Sequence, residues 1–131
     1  MKKLLASLLW CVALTASAAN ESGEQVAEQW LSVVDAGNYG QSWQQSGTLF
    51  QSQVSKSQWQ QALNSVRMPL GEAIKRQQTR VEKHSQLPGV PDGDYLIIQY
   101  QTEFKNKQDA TEMLTLAKQP DGWHPVGYFI K

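Results

Sequence analysis

Cysteine is almost missing from this 131-residue chain: Cys11 is the only one. A single thiol closes no internal disulfide and builds no thiolate metal site, so the folded part holds together through its core. Histidine is nearly as scarce. His84 and His124 are far apart, and no pair stands at the i, i+4 or i, i+2 spacing that metal ligands on a helix or strand require. No metal or cofactor is expected. A surplus of positive charge is also lacking, with 12 basic against 12 acidic residues. Without Lys2 and Lys3 the balance is 10 against 12, a formal −2, which argues against general nucleic-acid binding and against an anionic membrane surface. No G-x-S-x-G elbow, Cys–His pair, P-loop or G-x-G-x-x-G is present. The one long apolar run, Leu4 to Leu14, falls short of the roughly 20 residues that span a bilayer.

That run has the form of a secretory signal. Lys2 and Lys3 precede it, and Ala16-Ser17-Ala18 supplies small residues for cleavage. The expected organisation is a signal peptide over residues 1–18 and one domain over 19–131, periplasmic or secreted, with no membrane span after cleavage. Cys11 follows the bulky Trp10, which speaks against lipidation there.

The most legible stretch of the remainder is Pro88 to Phe104. Two prolines preset φ, and Asp92-Gly93 reads as a turn pair in which Gly93 takes a positive φ. Leu96, Ile98, Tyr100, Thr102 and Phe104 then alternate on one face, as in a strand with a buried side. Before it the pattern is helical. Ser22 with Gln25 forms a capping box ahead of Val26, Ala27, Trp30, Leu31, Val33 and Val34, and Gly37 is the stop. A short second helix spans Asn38 to Ser46, ended by Gly47. Ser55 with Gln58 starts a third, with Val54 and Trp59 at the positions of a hydrophobic staple. Trp59, Ala62, Leu63, Val66 and Leu70 line its apolar face, Arg67 falls at the edge of that stripe, and Pro69 and Gly71 close it.

Ala73 to His84 reads as a long strand, polar on both faces, with a helical start as the alternative. Its basic residues suit a solvated sheet edge, with Arg76 and Arg80 facing one way and Lys75 and Lys83 the other. After Tyr95–Phe104 come a turn over Lys105–Asp109, a strand over Ala110–Lys118, a hairpin signal at Gln119-Pro120-Asp121-Gly122 and a last strand over Trp123–Ile130. Pro125 lacks an N–H and belongs at an edge or a bulge. Helices followed by antiparallel strands define an α+β fold, with N-terminal helices packed on a curved antiparallel sheet of three to four strands.

Trp30, Asp35-Ala36-Gly37, Tyr39, Ser42-Trp43, Trp59, Arg67-Met68-Pro69-Leu70-Gly71, Arg76, the loop Leu87 to Gly93, Tyr95, Tyr100, Glu112, Trp123 and Gly127-Tyr128-Phe129-Ile130 together resemble the small secreted bacterial proteins grouped as domain of unknown function 4019. His124-Pro125 departs from that family's basic-then-aliphatic pair. The resemblance implies a secreted domain without an assigned activity. The element order is also similar to nuclear-transport-factor-like and cystatin-like cones, an analogy of fold and not of function.

The candidate pocket residues are Trp30, Tyr39, Trp43, Arg67, Arg76, Tyr100, Glu112 and Tyr128. Aromatic residues in such number fill a core or line a pocket with hydrogen-bonding rims for a small amphipathic ligand. Asp35 and Glu112 are the carboxylates to consider for acid–base chemistry. Asp35 fits a helix end, bonding nearby backbone. Glu112 alternates with Leu114 and Leu116: it either faces solvent, the commoner state of a strand carboxylate, or points inward and then requires a cation, Arg67 or Arg76. Three functions remain open: a non-enzymatic binding module for a small molecule, a small enzyme with a pocket acid–base residue, or an envelope protein that pairs with another protein through a sheet edge. A filled interior favours the last.

N-terminal sequencing of the exported protein should give a mature chain starting at Ala19 or Asn20. A mature form that still carries Trp10 overturns the signal-peptide reading.

Overall fold

The computed structural model describes residues 21–131, and the expected signal segment lies outside them. Ser22 caps α1 (Gly23–Asp35) reciprocally: its Oγ accepts the Gln25 N–H and Gln25 Oε1 accepts the Ser22 N–H, both at 3.1 Å. The apolar spacing buries Ala27, Trp30, Leu31 and Val34. Gly37 follows the helix at φ +81°, the left-handed stop that the sequence indicates.

Two short helices follow, α2 (Tyr39–Gln45) and α3 (Thr48–Gln53). The second of them is not legible in the sequence, because none of its six residues is buried and it has no apolar stripe. Gly47 caps it as well as ending α2, and the Gly47 N–H donates to Pro125 O at 2.7 Å. The helix with the strongest local signal is therefore the fourth, α4 (Lys56–Val66). Its capping box is complete, with Ser55 N–H to Gln58 Oε1 at 2.9 Å and Gln58 N–H to Ser55 Oγ at 3.1 Å. Trp59 and Leu63 are buried, and Val54 packs against the same core. Ala62 and Val66, expected on the buried stripe, are exposed instead. Both border a surface groove with Tyr128, Phe129 and Ile130 of the last strand. A 3₁₀ turn, Met68–Leu70, leads to the strands.

The sheet runs β1 (Ala73–His84), β2 (Tyr95–Phe104), β3 (Lys107–Gln119) and β4 (Gly122–Ile130), every neighbour antiparallel and the spatial order that of the chain. The fold is α+β, with four helices and an open four-stranded sheet. The alternating residues of β2 from Leu96 to Phe104 are all buried, as are Ala110, Glu112, Leu114 and Leu116 of β3. The turn before β3 is shorter than expected, only Lys105-Asn106. Pro125 lies on an edge strand and beside a register shift, opposite Leu116, where a missing N–H does least harm.

Two departures from simple alternation matter. Register shifts in β1 fall between Ala73 and Lys75 and between Gln78 and Arg80. The second reverses the facing of the strand: Arg76 and Gln78 oppose the inward Thr102 and Tyr100, whereas Arg80 opposes the outward Gln99. Arg76 and Arg80 consequently do not share a face, and Arg80 pairs with Glu82 at 2.7 Å in the open. In the loop before β2 the left-handed glycine is Gly89, at φ +78°, and not Gly93, which is not at positive φ. Gly93 closes the loop by donating its N–H to Ser85 O at 3.0 Å, and Tyr95 Oη donates to Pro91 O at 2.5 Å.

Loss of the α4 cap in Ser55→Ala should destabilise the domain by about 1 kcal/mol. Trp59→Ala should cost roughly 3–5 kcal/mol, a large part of the roughly 5–15 kcal/mol of a domain this size. In the β1–β2 loop Gly89→Val should be the damaging change and Gly93→Val the milder one, because only Gly89 needs a left-handed backbone. Denaturant titration of the four variants checks the order.

Candidate functional site

Every strand sends one side chain into a single polar cluster. Glu112 of β3 stands at its centre, with 0% of its surface exposed. Its carboxylate accepts from Arg76 Nε at 2.7 Å and Nη2 at 3.3 Å, from Thr102 Oγ1 at 2.5 Å, and from the Tyr128 hydroxyl. An ionised carboxylate has about four acceptor positions, and here four donor contacts converge on it. Arg76 comes from β1, Thr102 from β2 and Tyr128 from β4.

The other side of Arg76 holds Asp35, at the end of α1. Arg76 Nη1 lies 2.7 Å from Asp35 Oδ2 and Nη2 lies 3.0 Å from Oδ1. Arg67, at the C-cap of α4, approaches Asp35 Oδ1 at 3.1 Å and donates Nη1 to Gly71 O at 2.5 Å. Its guanidinium also sits 4.5 Å from the centre of the Phe104 ring. Two arginines and two carboxylates thus form a neutral ladder that joins the ends of α1 and α4 to the sheet. Asp35 stands where a helix dipole disfavours an anion, and the two arginines offset that. Instead of bonding backbone at a helix end, it bridges.

The electrostatics follow from this geometry. Burial works against ionisation of Asp35, but the hydrogen bonds and charges of Arg76 and Arg67 together hold its carboxyl below the ordinary value. Burial likewise opposes the charge on Arg76, and the bonds to Asp35 and Glu112 outweigh it and raise its pKa. Burial, reinforced by the charge of Glu112 and the hydrogen bond to it, pushes the Tyr128 phenol up. Burial and then the charge of Glu28 push Tyr100 up as well.

A second cluster centres on Ser42, which is fully buried. Trp30 Nε1 donates to Ser42 O at 2.8 Å and Trp59 Nε1 to Ser42 Oγ at 2.9 Å, while Ser42 Oγ donates to Tyr39 O at 2.6 Å. Ser46 Oγ donates to Ser42 O at 2.7 Å. The indoles of α1 and α4 are thereby tied to α2, and their rings continue into Tyr128, whose centre lies 5.3 Å from Trp30 and 6.4 Å from Trp59, edge to face.

Of the eight candidate residues, Arg67, Arg76, Glu112 and Tyr128 meet in the ladder, and Trp30 stacks on its Tyr128 end. Tyr100 lies across from Glu112, with a buried hydroxyl that has no hydrogen-bond partner among the described residues. Tyr39 and Trp43 belong to the helical layer, Trp43 donating Nε1 to Val54 O at 2.7 Å. The eight do not converge on one cavity. Trp30 borders a cleft of about 300 Å³ with Val26, Trp123 and Pro125, and Tyr39 an open polar depression of about 680 Å³ with Gly40 and Gln60. Tyr128 borders an apolar groove of about 220 Å³ with Trp59, Ala62, Leu63, Val66, Phe129 and Ile130.

Thr102 and Ser42 join these clusters without being among the candidate residues of the sequence. Thr102 does carry a signal, as the hydroxyl-bearing aliphatic member of the buried β2 row, where it requires a partner. Ser42 left no such signal. His84 Nε2 lies 3.1 Å from Glu82 and His124 Nε2 2.8 Å from Asp121, at separate places on the surface. Among the described residues no three His, Cys, Asp or Glu side chains cluster as metal ligands, and no helix is long and apolar enough to cross a membrane.

Fold and site together define an α+β domain in which helices are locked to one face of an antiparallel sheet by a buried ion-pair ladder. The family described as Protein of unknown function (DUF4019) matches residues 26–128, and the chain belongs to it. Every member of the ladder falls within the matched residues. A search of curated proteins gives no match.

Arg76→Met leaves Glu112 buried without its cation and should destabilise the fold by about 3–5 kcal/mol. Arg76→Met and Glu112→Gln should be coupled by about 0.5–3 kcal/mol in a double-mutant cycle, and Arg67→Met with Glu112→Gln much less, since Arg67 reaches Asp35 instead. Asp35 titrates below the ordinary 3.8, so its contribution is present above that pH and lost as pH falls through its lower folded value. Tyr128 titrates above the ordinary 10.0, so its contribution is present below that pH and lost as pH rises beyond it. Melting curves across pH, with Asp35→Asn and Tyr128→Phe as controls, should flatten at the acid and alkaline ends respectively.

Proposed function

We propose that this chain is a non-catalytic interaction domain of an exported protein, and that it works through the margin formed by α4 and β4. The observation that carries the reading is the misplaced stripe of α4. Ala62 and Val66 belong by spacing to the buried face, yet they lie exposed beside the last strand, where the sheet ends. Val66 is 52% exposed and Phe129, across the same groove, 58%. Apolar surface at a sheet edge is a recognised binding geometry, because main-chain bonds supply affinity and the groove supplies selectivity.

The interior supports the same choice. Glu112, the leading acid–base candidate, already accepts from Arg76, Thr102 and Tyr128, and Arg76 divides itself between two carboxylates. A general base needs a free acceptor within reach of a substrate proton. The aromatic side chains pack on one another and on Ser42. Export rests on Lys2, Lys3, the Leu4–Leu14 run and Ala16-Ser17-Ala18.

A photo-crosslinking residue placed at Val66 or Phe129 in the exported protein should form protein adducts, and one at Gln101, on the outer side of β2, should not. Adducts at neither margin position overturn the proposal. So does a catalytic activity that Glu112→Gln abolishes while the melting temperature stays within a few degrees.

A further inference from the structure

The two edges of the sheet differ. The β1 edge carries the exposed Lys75, Arg80 and Lys83, basic residues that discourage strand-to-strand association. The first half of β4 is covered: Gly47 N–H bonds Pro125 O, and His124 Nδ1 lies 3.2 Å from Gln45 O. The second half, Val126 to Ile130, has no charge and no proline.

Its free groups can be named from the register. Thr111 and Lys131 exchange two backbone bonds, at 2.8 and 2.9 Å. Bonded pairs alternate along an antiparallel ladder, so the next are Met113 with Phe129 and Thr115 with Gly127. The N–H and C=O groups of Tyr128 and Ile130 therefore point away from β3, and among the described residues none of the four has a hydrogen-bond partner. Four such groups in a row, spaced two residues apart, fit another strand.

Resting on the α4–β4 margin proposed above, we infer that its partner is a second copy of this chain, paired β4 to β4 about a twofold axis through Phe129. In that register Tyr128 of one copy exchanges two bonds with Ile130 of the other, and the symmetric pair does the same. Phe129 faces its own counterpart as a close non-bonded pair on the outer side of the sheet, an aromatic cross-strand contact. Lys131 falls opposite Gly127, which has no side chain, so no like charges meet. On the inner side the axis sets the Ala62 and Val66 flank of α4 toward the same flank of the other α4, and the small Ala62 permits close approach. One symmetric patch thus covers the free backbone, the exposed Phe129 and the exposed α4 residues together, as an isologous interface requires. The same operation at β1 would bring two basic edges face to face.

Sedimentation of the exported protein over a wide concentration range tests this. A dimer should form, and Phe129→Lys should weaken it by about tenfold or more by setting two like charges opposite each other, whereas Lys75→Glu at the other edge should leave it unchanged. Phe129 is exposed, so the melting temperature of that variant should hold. As a second measurement, Phe129→Cys in a chain carrying Cys11→Ser should oxidise to a disulfide-linked dimer, since Cα atoms of a close non-bonded pair stand about 4.5 Å apart, and Gln101→Cys should not. A dimer insensitive to Phe129→Lys, or a Phe129→Cys variant that forms no disulfide-linked dimer, overturns the second-copy interface. A monomer at all concentrations that still crosslinks to other proteins from Phe129 overturns it too and leaves the interaction domain standing. A monomer with no crosslinks overturns both.

Discussion

A buried carboxylate is the constraint on which this domain depends. Glu112 sits midway along an interior strand with none of its surface in water. An ionised carboxylate in such a place is tolerable only with a cation and a full set of donors. Those donors have to arrive from β1, β2 and β4, and they do so only when all four strands hold their register. The β1 bulge between Gln78 and Arg80 is part of this arrangement, because it turns Arg76 inward and Arg80 out.

The same interaction orders the helices. Arg76 extends from Glu112 to Asp35, and Asp35 in turn holds Arg67, so the ends of α1 and α4 are fixed to the sheet by charge as well as by apolar packing. At the other side of the core Ser42 plays a comparable part with neutral groups, receiving one indole on its carbonyl and one on its hydroxyl. Tyr128 links the two, its ring against Trp30 and its hydroxyl on Glu112. A domain without a disulfide gains a single defined packing in this way. The groups that look suited to chemistry when read one at a time are engaged with one another when seen together.

The interaction role proposed above rests on an interior whose polar groups are engaged and on a margin that is open. The four-stranded sheet stops at β4, where Ala62, Val66 and Phe129 border one apolar groove and, among the described residues, the backbone groups of Tyr128 and Ile130 have no partner. Affinity at such a place comes from backbone bonds and modest apolar contact, and selectivity from the shape of the groove.

Local physics made much of this readable. Both capping boxes, the left-handed Gly37, the β2 alternation and the Pro120-Asp121 hairpin depend on residues within a few positions of each other, and sequence alone determined them. It also narrowed the partner of an inward Glu112 to Arg67 or Arg76. Which of the two, and whether Glu112 turned inward at all, depended on a bulge in β1 and on strand register, and a one-residue slip reverses every facing. The role of Asp35, the hub at Ser42 and the exposure of Ala62 and Val66 were likewise decided only in three dimensions. Each depends on which element lies opposite, or on where the sheet ends, and periodicity along one helix carries no record of either.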